Sequence, residues 1–200
     1  MKKLLFLTVF LVPLLMADMI TVKNGLSYYS YNQTISGHKE MTIKISYDTG
    51  DSAFVFIFGN NDFMTDQVWV QIDESQIAEL DSVIKKYKEW NVKASKKGVE
   101  INKKITSINT EYIFFTYGDN LKNSANKELI CEFRSLTEKK HLLKIYSFMV
   151  DIENEYIDPT FIALFNWGHV LALERAIAPA KLKEYRKKAF DTVDLESEFE

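Results

Sequence analysis

Alternating hydrophobic and polar positions predict that most of this chain is β-strand. Residues 41–47 are the clearest case, because every second side chain from Met41 to Tyr47 is apolar. The run 53–58 is apolar throughout, which predicts a strand covered on both faces. Further strands are predicted at 68–72, 99–108, 111–117, 128–135, 141–150 and 160–165. We therefore expect about seven to nine strands, mostly antiparallel.

The hydrophobic period lengthens after Asp73, which predicts a first amphipathic helix. Apolar residues recur at steps of three and four from Ile77 to Trp90, so we expect a helix at about 74–92. Asp73 or Ser75 can cap its N-terminus.

A second helix is predicted after Asn166, which can cap it. Val170, Leu173 and Ile177 form its apolar stripe. Pro179 is expected to kink or break this helix, with a further helical piece at about 179–190. The segment 191–200 contains five acidic residues and no basic one, which favours a frayed, disordered tail.

Strands interrupted by a helix predict an α+β fold, with a sheet packed against two amphipathic helices. Residues 68–72 and the helix after them match 161–165 and its following helix at an offset of 93 residues. The match suggests two βββα-like units, although a shared strand-to-helix pattern without duplication explains it as well. A β-barrel or a sandwich flanked by helices is the alternative architecture.

The short turn between Ser135 and His141 predicts the register of a hairpin. If these two residues pair, Glu132 lies opposite Lys144 as a cross-strand ion pair. The same register points Cys131 into the apolar face, where a cysteine behaves as a small hydrophobe.

The first seventeen residues have the pattern of a secretory signal peptide. Two lysines precede the uncharged run 4–16, which is shorter than the ~20 residues of a membrane span, and Ala17 precedes the first acid. We expect cleavage after Ala17, export to the periplasm or medium, and one globular domain at 18–190. A retained N-terminal anchor or a hydrophobic first strand is the alternative.

Charge and composition exclude several classes of function. Loss of the two lysines in 1–17 leaves 23 basic and 28 acidic residues, a net charge of −5, so nucleic acid is a poor partner. Seven dispersed glycines form no phosphate-binding loop, and one cysteine forms no disulfide framework. We expect no cofactor, and no membrane association after cleavage.

Candidate catalytic and metal-binding residues are scattered. His38, Cys131, His141 and His169 show none of the spacings of a metal site, and no serine-hydrolase motif occurs. The acidic stretch 151–158 leaves open a small exported hydrolase that uses a carboxylate pair.

Aromatic residues supply the remaining candidate site. Tyr28, Tyr29 and Tyr31 lie in a polar segment, and Trp69 alternates outward between two valines. Tyrosines present an apolar ring with a polar tip, which suits contact with protein, peptide or glycan. In a strand, Tyr29 and Tyr31 share one face and Tyr28 takes the other, and core or edge packing is the favoured interpretation of these tyrosines. A non-catalytic exported binding module is the favoured function.

Overall fold

The structure, a computed structural model, describes residues 19–32, 37–60 and 65–197. Within them lie ten strands and three helices. The strands are β1 (Met19–Asn32), β2 (Gly37–Asp48), β3 (Ala53–Gly59), β4 (Gln67–Ile72), β5 (Asn102–Asn109), β6 (Tyr112–Tyr117), β7 (Asn120–Asn123), β8 (Glu128–Thr137), β9 (Lys140–Phe148) and β10 (Thr160–Phe165). The helices are α1 (Glu74–Lys97), α2 (Trp167–Ala176) and α3 (Pro179–Ser197). The signal-peptide prediction for 1–17 lies outside the described residues.

The ten strands form one antiparallel sheet in the order β5-β8-β9-β10-β1-β2-β3-β4-β6-β7. The predicted α+β class is confirmed. The meander β2-β3-β4 leads into α1, and the meander β8-β9-β10 leads into α2, so the chain contains two βββα units. The β1 strand joins the units by pairing with both β10 and β2. The described strands make a single sheet with two edges, β5 and β7, instead of the alternative sandwich or barrel.

The structure has ten described strands, more than the seven to nine predicted, because the alternating pattern that identifies a strand is weak in β1 and β7. The pairing of β1 with β2 shifts register twice between Thr21 and Leu26, and Gly25 adopts φ +79° there. Bulges of this kind break the alternation that identifies a strand. The β7 strand has only four residues, too few to show a period.

The first helix ends five residues later than predicted. Asp73 accepts a hydrogen bond from the Gln76 backbone N–H, and the Gln76 side chain accepts one from the Asp73 N–H, which completes a capping box. At the other end Gly98 adopts a left-handed conformation (φ 61°), and its N–H donates to the Ala94 carbonyl. The glycine therefore sets the end of the helix.

Pro179 separates the last two helices, as predicted. Asn166 caps α2, which ends at Ala176, and α3 begins at the proline. The acid-rich segment after residue 190 was expected to be frayed, yet α3 continues to Ser197. The Phe190 ring, which comes just before this segment, contacts the Tyr47 ring of β2 at 5.9 Å between centroids.

All three helices pack on the same side of the sheet, which we call the core face. The inward side chains of the strands form one buried cluster with the apolar stripes of α1, α2 and α3. The opposite side is the outer face. The predicted β8–β9 register is confirmed: Glu132 pairs with Lys144, and Cys131, opposite Ile145, lies fully buried on the core face.

Candidate functional site

The outer face carries an apolar cluster of three tyrosines and three aliphatic residues, which we call the outer-face tyrosine cluster. Its members are Tyr29 and Tyr31 from β1, Leu142 and Tyr146 from β9, and Ile162 and Leu164 from β10. The register places Tyr29 opposite Leu164 and Tyr146 opposite Ile162. The aliphatic side chains are buried and the tyrosines are partly buried, so the rings form the accessible part of the cluster.

Two histidines extend the cluster at its β1 end. The His38 ring lies 4.9 Å from the Tyr31 ring, and the His169 ring lies 5.1 Å from the Tyr29 ring, measured between centroids. Burial lowers the pKa of His169 below its usual value, against the opposing effect of Glu40. The His169 imidazole is therefore mainly neutral at pH 7, so it adds a ring without adding a full charge.

Charged and aromatic groups surround Tyr146 at the other end. Its hydroxyl donates a 2.8 Å hydrogen bond to Glu132 Oε1, and Lys144 Nζ lies 3.8 Å from the ring centroid. Burial, followed by the Glu132 carboxylate, raises the pKa of Tyr146 to about 12, so the phenol stays protonated. Phe148 packs edge-on at 5.5 Å and is 52% exposed, which continues the aromatic surface.

Tyr28 lies in the core, away from the two tyrosines that follow it. It is fully buried between Phe58 and Phe165, and its hydroxyl donates to the Gly59 carbonyl. Burial raises the pKa of its phenol well above the usual value. The alternation expected of these tyrosines if they lie in a strand is therefore confirmed, and a ligand on the outer face would meet Tyr29 and Tyr31 instead of Tyr28.

Trp69 points to the outer face of β4, as its alternation predicted, but it lies apart from the tyrosine cluster. Its neighbours across the sheet are Ile57 and Phe114, and its indole N–H donates to Gln67 Oε1 at 3.0 Å. Three strand spacings, about 14 Å, separate β4 from β1. The structure thus brings Tyr29 and Tyr31 together and leaves Trp69 in a separate patch.

A pocket of about 270 Å³ opens at the C-terminal end of α1, beside the edge strand β5. We call it the lysine-rimmed pocket. It is lined by Trp90, Lys93, Ala94, Lys97, Val99, Ile101, Lys103 and Phe133. Its exposed lining is almost wholly apolar, and three of the eight residues carry an ammonium group. The Lys103 ammonium lies 5.4 Å from the Trp90 ring.

The Cys131 thiol and the buried Ser135–His141 pair lack the features of a nucleophilic site. Burial raises the pKa of Cys131 to about 12, which disfavours the reactive thiolate. Ser135 Oγ accepts a hydrogen bond from the Ile101 N–H at 2.8 Å. It also lies 2.9 Å from His141 Nδ1, so the Ser135 hydroxyl can donate a hydrogen bond to that nitrogen. No carboxylate among the described residues hydrogen-bonds His141, so the third member of a catalytic triad is missing there.

The acidic stretch that suggested a hydrolase forms ion pairs with a lysine. Asp151 and Glu153 each place a carboxylate oxygen 3.1 Å from Lys122 Nζ. These two hydrogen bonds, with Glu153 the larger contributor, raise the pKa of Lys122. The arrangement ties β7 to the segment after β9, which gives Asp151 and Glu153 a structural role.

Two further features, a metal-binding cluster and a membrane-spanning helix, are absent from the described residues. Nowhere in 19–32, 37–60 and 65–197 do three or more His, Cys, Asp or Glu side chains converge in a way that could hold a metal ion. Over the same ranges, no helix combines the length and the apolar character that crossing a membrane requires.

Several residues of the outer-face tyrosine cluster and of the lysine-rimmed pocket could not be recognised as site residues from the sequence. Ile162 and Leu164 belong to a predicted strand, but their contact with Tyr29 depends on β10 pairing with β1. Tyr146 could have been noted as an outward aromatic, because Glu132 and Lys144 beside it were already placed on that face. The pocket could not be predicted either, because Lys93, Ala94 and Lys97 line it and lie beyond residue 92, where the helix was predicted to end.

Similarity to known proteins assigns this chain to no family. No protein-family model matches it, and neither does any curated protein or any solved structure. Its function therefore has to be inferred from the geometry of the described residues.

Proposed function

We propose that the protein is an exported, non-catalytic module that binds a partner protein or peptide through the outer-face tyrosine cluster. The observation that carries the proposal is the gathering of three tyrosine rings over three aliphatic side chains, on the sheet face opposite the helices. Tyrosine suits such a surface because it offers a large apolar ring and a polar tip at a small entropic cost.

The polar groups near the cluster favour a protein or peptide over a glycan. A sugar presents many hydroxyls that need hydrogen-bond partners when they are buried. Glu132 and Lys144 already interact with each other and with Tyr146, so their capacity is largely used. The tyrosine rings supply most of the remaining contact area, and such rings pack well against the apolar side chains of a protein or peptide partner.

Export is supported by the signal-peptide pattern of 1–17 and is consistent with the state of the only cysteine. Oxidising compartments convert accessible thiols to disulfides. The Cys131 thiol is fully buried and its pKa is raised, so it is protected from such chemistry.

Sequencing the N-terminus of the protein recovered from the exported fraction tests the first half of the proposal. We expect the chain to begin at Asp18. Recovery of chains that retain Met1 in the cytosol would contradict export.

Selection from a display library of random dodecapeptides tests the binding. The affinity of the enriched peptides is measured for the wild-type protein and for the Tyr29→Ser/Tyr31→Ser double variant. We expect the double variant to bind them at least about tenfold more weakly than the wild type does. The matched control is Tyr156→Ser, which removes a tyrosine that is 85% exposed elsewhere on the surface. A melting curve checks that each variant is folded, and Phe148→Ser serves if the double variant unfolds. Equal affinity of the tyrosine variants and the control would refute the proposal.

A further inference from the structure

We propose that the lysine-rimmed pocket is a second binding site, which takes a single-chain aliphatic carboxylate. The chain lies in the apolar cavity and the carboxylate lies among the lysines. This site is formed by α1, the connection 98–101, β5 and β8, and its residues are distinct from those of the outer-face tyrosine cluster.

The walls of the pocket suit an apolar chain. Trp90 and Phe133 contact each other edge-on at 6.0 Å between centroids, and Ala94, Val99 and Ile101 complete an almost wholly apolar lining. Moving an aliphatic chain from water against such a surface is favourable in proportion to the apolar area that is buried. At about 270 Å³ the cavity lies just below the usual range for small-molecule sites, so we expect a short chain.

The rim selects an anion. Lys93 pairs with Glu89, but Lys97 and Lys103 have no carboxylate partner among the described residues. An ammonium group only donates hydrogen bonds and a carboxylate only accepts them, so the two are complementary. A neutral or cationic chain would bring no negative charge to Lys97 and Lys103.

The polar groups of the wall argue against a peptide as the occupant. A bound peptide would need acceptors for its own N–H groups. The lining side chains provide none, because the lysines are donors and the rest are apolar. The backbone of Ile101 is also occupied, since its N–H donates to Ser135 Oγ and its carbonyl accepts the Ser135 N–H.

Titration with decanoate below its micelle concentration tests the proposal on the exported protein. Binding is followed by calorimetry and by tryptophan fluorescence, with Trp90→Phe identifying the responding indole. We expect decanoate to bind at least about tenfold more tightly than decanol or decyltrimethylammonium, because only the carboxylate pairs with the lysines.

Two variants separate the roles of charge and cavity. Lys97→Gln/Lys103→Gln is expected to weaken decanoate binding about tenfold or more. Its matched control, Lys183→Gln/Lys187→Gln, removes the same charge from exposed positions on α3 and should leave binding unchanged. Val99→Trp fills the cavity and should abolish binding with every lysine intact, while a melting curve confirms that it folds.

Three results would overturn the proposal. Decanol could bind as well as decanoate, the lysine variant could bind as the wild type does, or a leucine-rich peptide amide could bind where decanoate does not. In the first two cases the lysines would serve only to protect an edge strand and to neutralise the end of α1.

Discussion

Two neighbouring tyrosines on β1 have opposite surroundings. Tyr28 is enclosed by the rings of Phe58 and Phe165 on the core face, whereas Tyr29 lies against Leu164 and the His169 ring on the outer face. One residue step along a strand therefore separates a side chain that stabilises the fold from one that a ligand can reach.

The same contrast extends to the two apolar clusters. The core cluster is covered by α1, α2 and α3, while the outer-face tyrosine cluster consists of strand residues, and α2 reaches it through the His169 ring beside Tyr29. Both contain tyrosine, leucine and isoleucine, so residue type does not distinguish them. What distinguishes them is the covering element, and the predictions that follow test how sharply the two clusters differ.

The largest effect on stability is expected when a tyrosine is replaced by alanine on each face of β1 and the two variants are compared. Tyr28→Ala should lower the free energy of unfolding by about 3–5 kcal/mol, because it leaves a cavity and an unpaired Gly59 carbonyl. Tyr31→Ala should cost about 1 kcal/mol, because its ring is only partly buried. Urea unfolding measures both, and Tyr28→Phe, expected to cost about 1 kcal/mol, isolates the hydroxyl. Similar costs for the two alanine variants would remove the distinction between the faces.

A smaller effect is expected for a polar atom placed in the core. Cys131→Ser should cost about 1–3 kcal/mol, because it buries a hydroxyl in an apolar site. Peptide binding by the folded variant should be unchanged, as measured with the selected dodecapeptides. A folded serine variant that no longer binds would show that Cys131 has a role beyond packing.

The smallest effect is expected on acidification. Burial lowers the pKa of His141 and, against the effect of Glu40, that of His169, so the folded state favours both neutral imidazoles. The unfolded state then binds more protons below about pH 6.5, and the stabilisation present above that pH is lost as the pH falls. Urea unfolding at pH 7.5 and pH 5.0 should show a decrease that is smaller in His141→Gln and in His169→Gln. If the wild-type protein were equally stable at pH 7.5 and pH 5.0, the predicted loss of stability on acidification would be wrong.

Local features were predictable because neighbouring residues determine them. The β8–β9 register was correct since a short turn fixes it and the Glu132–Lys144 pair supports only one alignment. Asn166 is predicted as a cap, and Asp73 as one of two alternatives with Ser75, because a side-chain oxygen before an apolar period is a local signal. The two βββα units follow from the same strand-to-helix transitions.

Features that depend on distant pairing were not predictable. No residue of β10 indicates that it pairs with β1 as well as with β9, so the outer-face tyrosine cluster could not be assembled from the sequence. The sequence predicts Tyr29 and Tyr31 as candidate site residues, whereas it indicates only strand structure for Leu142, Ile162 and Leu164 beneath them. The bulges of β1 hid the strand itself, since they interrupt the period.

The position of β1 has a consequence for the order of assembly. It is the first described strand to be synthesised, yet one of its two neighbours, β10, is the last of the described strands. The seam between the two halves of the sheet can therefore close only after nearly the whole polypeptide has emerged. An N-terminus still held at a membrane while the rest crosses would delay that closure until the chain is released.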